Sequence, residues 1–390
     1  MQDVYDLIVV GLGAMGSATL YQAAKAGANV LGIDRYNPPH EFGSSHAETR
    51  ITRLAVGEGS QYLPFVARSH EIWRELEAQT GQPLLYQPGL YLIAPKDASR
   101  TGGGHWDRFV ERTAVIAQNA NIPFEIRTPT AVRAHQPPIL VDDRYNIGFE
   151  PTGGVVMCEL AIETQLTLAR QLGAAIHPNE PVLDVAFDAY TVTVTTAQNS
   201  YQAAKAVVAA GAWMSDFMPA QHKEQLSVTR QVVYWFEVED PTLFFVDHFP
   251  GIIWQGEELA DYAGVFPMIP DGLPGIKLLT EQFVETTDPH TVSRTVSAAE
   301  IETYYQTIIS GKVAAITPNC IKATVCLYTN TPDDHFIIDY HPDSERVILA
   351  SPCSGHGFKH SASLGEAMAQ LALNGESKRD LSAFRLARFR

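Results

Sequence analysis

The sequence predicts an α/β fold in which a Rossmann-like unit with a parallel sheet is interleaved with an α+β domain built on antiparallel sheet. Three observations carry this prediction. A glycine-rich turn lies between two buried-strand patterns at the start of the chain. Glycine-bearing α/β segments return near its middle and end, and the stretches between them hold aromatic strand patterns punctuated by Pro and Gly.

The first element is Tyr5-Asp-Leu-Ile-Val-Val10, a short apolar run suited to a parallel strand buried on both faces. Gly11-Leu-Gly13-Ala-Met-Gly16 turns the chain into a small-residue helix pattern over residues 17–26, which Gly27 can end with positive φ. Residues 29–33 form a second strand pattern ending at Asp34, which completes a βαβ unit. A polar segment without clear periodicity follows over residues 40–60, and such loops are often functional. A helix is predicted over residues 63–80. The stretch 86–149 mixes strands, a helix near 106–119 and Pro-rich turns, and reads as an insertion.

After Gly153-Gly154 the α/β pattern resumes with a helix over 159–173, strands at 182–185 and 190–196, and a strand-to-glycine step ending in Gly211. Residues 221–319 contain aromatic strands such as Val232-Val-Tyr-Trp-Phe-Glu-Val238 and turns at Pro270-Asp-Gly272 and Pro274-Gly275, an antiparallel signature. A strand at 346–350, a glycine turn at 354–357 and a helix over 361–373 close the chain. The expected division is therefore 1–85, 150–220 and 320–390 for the nucleotide-binding domain, with 86–149 and 221–319 for the substrate domain.

Composition narrows the function. The chain of 390 residues is 45% hydrophobic and 18% charged, enough apolar material for large cores and too little charge for a disordered chain. Its net charge of −16 repels phosphate backbones and anionic lipid, so neither nucleic acid nor a membrane surface is an expected partner. No window approaches the roughly 18 consecutive apolar residues of a spanning helix. The N-terminus shows no basic and apolar leader pattern, and four cysteines fit a reducing compartment, so a cytoplasmic location is expected. The thirteen histidines are scattered, and Cys353-x-x-His356 lacks a second ligand pair, so no metal is expected.

The Gly-x-Gly-x-x-Gly turn brings backbone N–H groups against a pyrophosphate and aims a helix N-terminus at its charge. Asp34 follows Gly11 by 23 residues, where an acidic group meets an adenosine ribose. This fingerprint alone does not separate NAD from FAD. The layout favours a flavin: the second half of a nicotinamide dehydrogenase would usually follow directly, whereas here an unrelated antiparallel block intervenes.

Four further motifs are more specific: Gly43-Ser-Ser-His-x-x-Thr-Arg50-x-x-Arg53, Thr324-Val-Cys326-Leu-Tyr328-Thr, His335-Phe-Ile-Ile-Asp339 and Ser354-Gly-His-Gly-Phe-Lys359. With the closing residues 383–389, they resemble the monomeric sarcosine oxidase and N-methyltryptophan oxidase family over nearly the whole chain. The resemblance implies an FAD-dependent oxidase of a secondary amino acid that produces an imine, reduces O2 to hydrogen peroxide and acts as a monomer. A flavin dehydrogenase, a nicotinamide dehydrogenase and a non-catalytic flavoprotein are the alternatives.

By the same resemblance, Cys326 corresponds to the cysteine joined to the flavin 8α-methyl group; a free cysteine is otherwise a small buried hydrophobe. Arg53 and Lys359 correspond to the pair gripping the substrate carboxylate, a task suited to fixed cations. Arg50 would lie near the flavin ring, Lys277 on the face where oxygen is reduced, and His356 along the active site. Phe266 and Tyr328 would line the substrate pocket. The expected cofactor contacts are Gly11, Gly13, Gly16, Asp34, Arg35, Ser44, Ser45, Arg50, Val182, Gly211, Cys326, Gly355, Gly357 and Lys359.

Two departures stand out. Glu281 occupies the place of a family histidine four residues after the oxygen lysine, adding negative charge there. Gly264-Val-Phe-Pro267 replaces Tyr-Gly-Phe-Pro, with Tyr262 displaced, so an aromatic is lost at 264 and the pocket is expected to open or change shape.

Overall fold

The computed structural model describes residues 4–96, 108–256 and 261–389. At its centre, Val4–Val10 lies between two parallel neighbours, Val30–Ile33 and Ser200–Val208. Leu7, Ile8 and Val9 are fully buried, as a strand covered on both faces requires. The sheet extends in parallel to Ala175–His177 on one side and to Ser344–Ser351 on the other. Val182–Phe187 and Val192–Thr196 add an antiparallel excursion. Segments more than a hundred residues apart in sequence thus meet in one sheet, as their repeated strand-to-glycine pattern predicts.

The helices Ala14–Lys25, Leu63–Thr80, Cys158–Gln171 and Ser361–Asn374 contribute to one core with this sheet. Small residues let the first and last of them approach closely. A Cβ at Gly365 would stand 2.3 Å from Ala18 Cβ, leaving no space for a side chain. The helix Leu63–Thr80 ends at Gly81 and Ser361–Asn374 at Gly375, both left-handed with φ of 72° and 80°.

A second sheet of eight strands runs in the order Ile316–Asn330, Ser227–Val238, Ile276–Leu279, Tyr262–Phe266, Gly251–Gln255, Leu90–Pro95, Tyr145–Glu150 and Glu125–Ile126. Every pairing but one is antiparallel: Gly251–Gln255 and Leu90–Pro95 run parallel. The antiparallel sheet expected for this domain is present, with one parallel seam where the inserted stretch docks beside the later aromatic block. A parallel neighbour needs a long crossover, and the intervening chain supplies it.

The expected boundary at 320 needs correction. It falls inside the strand Ile316–Asn330, which pairs with Ser227–Val238 from Val238↔Ile316 to Ser227↔Asn330. The pairing crosses residue 320 with register shifts between Trp235 and Val238, and the unbroken register from Trp235↔Lys322 to Ser227↔Asn330 holds Cys326 and Tyr328 in the second sheet. The helix expected near 106–119 is Phe109–Asn119; Trp106 lies outside the described residues. A three-stranded sheet, Thr49–Thr52 with Gly154–Met157 and Leu85–Tyr86, stands between the two larger ones. Among the described residues no helix is long and apolar enough to cross a membrane, and no group of metal-ligating side chains assembles.

Candidate active site

A cleft follows the glycine turn, lined by the nucleotide-binding segments and, from the second sheet, by Tyr328. At Gly11, φ is +85° and a Cβ would lie 2.5 Å from the Ala209 carbonyl oxygen, so only glycine lets these two strand ends meet. Gly16 packs against the Gly11 carbonyl, where a Cβ would come within 1.7 Å. Gly11, Gly13, Asp34, Arg35, Ser44, Ser45, Arg50, Val182, Gly211, Gly355 and Gly357 all line this cleft, as does Tyr328. Gly16, Cys326 and Lys359 stand behind its wall.

Asp34 accepts from the Leu12 N–H at 2.6 Å and from the Tyr36 N–H at 2.8 Å, tying the glycine turn to the next loop. Its carboxylate retains further lone-pair sites toward the cleft. Arg35 lies over the Trp213 ring at 5.1 Å. The shape suits a dinucleotide. The glycines leave backbone exposed where a pyrophosphate would lie, and a cation, Arg50, and an aromatic, Tyr328, border the same cleft.

Arg50 donates through Nη2 to the Ser44 carbonyl at 2.8 Å and reaches Cys326 Sγ at 3.3 Å. That sulfur also lies 3.4 Å from the Ser44 carbonyl. Cys326 is therefore fixed against two cleft-lining residues while itself fully buried.

Lys277 is buried and donates to the Ala47 carbonyl at 2.9 Å, to Thr49 Oγ1 at 2.6 Å and to the Thr49 carbonyl. Its ammonium sits 3.7 Å from the centre of the Phe266 ring. The carbonyls come from an uncommon turn in which Ala47 and Glu48 both have positive φ, 74° and 67°. Glu48 anchors that turn by accepting from Trp235 Nε1 at 2.7 Å and from the Leu273 N–H at 2.9 Å. Burial and then the Arg50 charge pull the Lys277 pKa down to about 7.

A second cationic centre forms from distant segments. Arg53 Nη2 lies 2.7 Å from both oxygens of Glu58, and Arg53 Nη1 donates to the Ala55 carbonyl at 2.9 Å. Lys359 Nζ reaches Glu58 at 3.4 Å and donates to the His356 carbonyl at 2.8 Å. Burial lowers the Lys359 pKa to about 8, against the opposing pull of Glu58. Glu150, wholly buried on its strand, accepts from the Leu54 and Ala55 N–H groups at 2.6 and 3.0 Å and so positions the chain beside Arg53.

Residues 6–371 match the DAO family of FAD dependent oxidoreductases. The chain belongs to this family. The FAD-dependent oxidoreductase is 36% identical over 390 residues to monomeric sarcosine oxidase of Bacillus sp. (strain NS-129), covering 100% of this chain and 98% of the relative. It is also 36% identical to N-methyl-L-tryptophan oxidase of Yersinia pestis (strain Pestoides F), covering 99% and 100%. Among solved structures, NikD, an unusual amino acid oxidase essential for nikkomycin biosynthesis, superposes with a TM-score of 0.82 at 20% identity, covering 98% of each chain. Glycine oxidase from Geobacillus kaustophilus gives 0.76 at 18% identity, again covering 98% of each. These two establish the shared fold.

Within this FAD-dependent oxidoreductase, the pocket expected to open or change shape at Gly264 has changed shape, with neighbouring side chains standing at ordinary contact distance. Tyr262 lies two residues earlier on the same strand, hence on the same face, and its ring is 3.5 Å from where a Cβ at Gly264 would begin. His356 meets the cationic centre through its carbonyl. Its ring stacks on Phe336 at 4.7 Å, and Nε2 donates to the Asp334 carbonyl at 2.9 Å. The sequence reading missed Glu58 as the partner of Arg53, and also Glu150 and the Ala47–Glu48 turn. Only the closeness of Glu58 to Arg53 in the chain hinted at the first.

Proposed function

We propose that this FAD-dependent oxidoreductase is an amine oxidase acting on a secondary amino acid, N-methyl or cyclic, and converting its C–N bond to an imine while O2 becomes hydrogen peroxide. The observation that carries this reading is the convergence of buried Arg53 and Lys359 on one carboxylate, that of Glu58. Two buried cations directed at a single carboxylate form a site for the carboxylate of an amino acid, with charge-assisted bonds offsetting its desolvation. The sarcosine and N-methyltryptophan oxidases that it resembles in sequence support the same class of substrate.

FAD, when bound, would supply a two-electron acceptor for a hydride equivalent from the carbon next to nitrogen. The glycine turn, Asp34, Arg35, Ser44, Ser45, Val182, Gly211, Gly355 and Gly357 would hold it, with Cys326 as the point of covalent attachment. Arg50 and Lys277 would supply positive charge to the ring system and to developing superoxide. Arg53 and Lys359 would orient the substrate, with Phe266 and Tyr328 as apolar walls and His356 supporting Lys359 through its carbonyl. The enzyme would work as a monomer in the cytoplasm, and the released imine hydrolyses in water.

The test is a screen of N-methyl and cyclic amino acids for peroxide formation and oxygen uptake. Flavin bleaching without oxygen uptake would indicate a dehydrogenase. No bleaching by any amino acid would sink the proposal.

A further inference from the structure

Glu281 is a further buried acid of this region without a part in the reaction above, and it is 9% exposed. It follows the strand Ile276–Leu279 that carries Lys277. Its Oε1 lies 2.7 Å from where a Cβ of Gly355 would stand, and the Tyr328 ring lies 2.9 Å from the same point. Gly355 and Tyr328 both line the cofactor cleft, so the carboxylate stands directly behind that wall, on the side where Lys359 also lies. Three ionisable groups on other elements feel its charge: Tyr328, Tyr262 and Lys359. Tyr262 in turn feels Tyr304, Arg53 and Glu58. Glu281 thus packs against Gly355, and the next residue, His356, gives its carbonyl to Lys359 of the carboxylate clamp.

An amino acid carries two charges. The clamp answers its carboxylate, and a second charge, the secondary ammonium, enters the same volume. Near neutral pH this nitrogen is protonated and has no lone pair to assist loss of hydride from the adjacent carbon. Resting on the function proposed above, we infer that Glu281 receives the substrate ammonium and accepts its proton. The N–H bond breaks and a carboxylic O–H forms, leaving the free amine and a neutral Glu281 with no change of oxidation state. The proton passes to water when product leaves. Glu281 is then a catalytic residue that lets the zwitterion serve as substrate.

The test uses the holoenzyme. Wild type should retain kcat/KM below the pKa of the substrate amine. Glu281→Gln should lose about a hundredfold or more at pH 7, within the range for removing a positioned base, and its ratio to wild type should recover with unit slope as pH rises to the amine pKa, since the loss of the Lys359 charge is common to both. Glu281→Asp should restore part of the low-pH activity. A Glu281→Gln profile parallel to wild type at every pH would overturn the inference, because a packing defect lowers activity evenly.

A binding measurement decides the matter without turnover. Flavin spectral titration at pH 7 compares an unreactive tertiary-ammonium acid with a thioether acid of equal size. Wild type should prefer the ammonium acid by tenfold or more, and Glu281→Gln should erase the preference. Equal affinities in wild type would overturn the assignment even if amino acids still reduce the flavin. If none does, the amine-oxidase reading fails while this comparison still judges Glu281.

Discussion

Glu58 accepts from Arg53 Nη2 with both carboxylate oxygens at 2.7 Å, and Lys359 Nζ stands 3.4 Å from one of them. The clamp therefore holds an internal carboxylate. A substrate carboxylate bound there as proposed would compete with it, so stability and binding would oppose one another here. Glu58→Gln should lose about 3–5 kcal/mol of stability, because two buried cations lose their counter-charge. The same change should tighten binding of carboxylate inhibitors. Thermal melts and flavin spectral titrations measure the two effects; weaker inhibitor binding in a folded variant would refute internal competition.

Lys359 gives a pH-dependent prediction. Its pKa is depressed to about 8, so the ammonium is present below that value and lost as pH rises through it. Carboxylate affinity should fall across the same window. Lys359→Arg should keep its affinity to higher pH, since a guanidinium does not deprotonate there. Lys359→Met should cost about 2–5 kcal/mol of carboxylate binding at pH 7, and descarboxy amines should be poor substrates of wild type. Equal turnover of amino acids and their descarboxy analogues would remove the clamp role.

For Cys326, held 3.3 Å from Arg50 beside the cleft, the expected outcome is a thioether to flavin. Protein precipitated with acid should stay yellow, and Cys326→Ser should release its flavin to the supernatant. A colourless wild-type pellet would show the linkage to be absent.

Lys277 separates the two half-reactions. Lys277→Met should slow reoxidation by O2 by about a hundredfold or more, the usual result of removing one preorganised stabiliser. Anaerobic reduction by substrate should change far less. Because the Lys277 pKa is lowered to about 7, wild-type reoxidation should decline as pH rises through 7. Lys277→Arg should flatten that decline. Stopped-flow traces of each half-reaction check both effects, and unaltered reoxidation in Lys277→Met would make the lysine structural.

Local pattern was enough to predict the βαβ start. Leu7 to Val10 are apolar in a row because both faces are covered, and Gly11 and Gly16 are glycine because backbone oxygens lie where a Cβ would be. The helices Leu63–Thr80 and Ser361–Asn374 were equally legible in the sequence. The motif around Arg50 and Arg53, and the one around Cys326, marked segments that the structure brings together, with Arg50 3.3 Å from Cys326 Sγ.

Pairing between distant segments was not legible. Periodicity records whether a side chain is covered, but not which residue covers it. Nothing local told that Tyr262 would lie over Gly264, that Glu58 would reach Lys359 from 301 residues away, or that Lys277 would hold carbonyls of the Ala47–Glu48 turn. The parallel seam between Gly251–Gln255 and Leu90–Pro95, and the strand running through residue 320, were hidden for the same reason. The sequence by itself determined the cofactor fold and the identity of the charged groups. The tertiary structure alone decided which charges meet, because strand register and domain packing bring them together, and burial then sets how strongly they act and where they titrate.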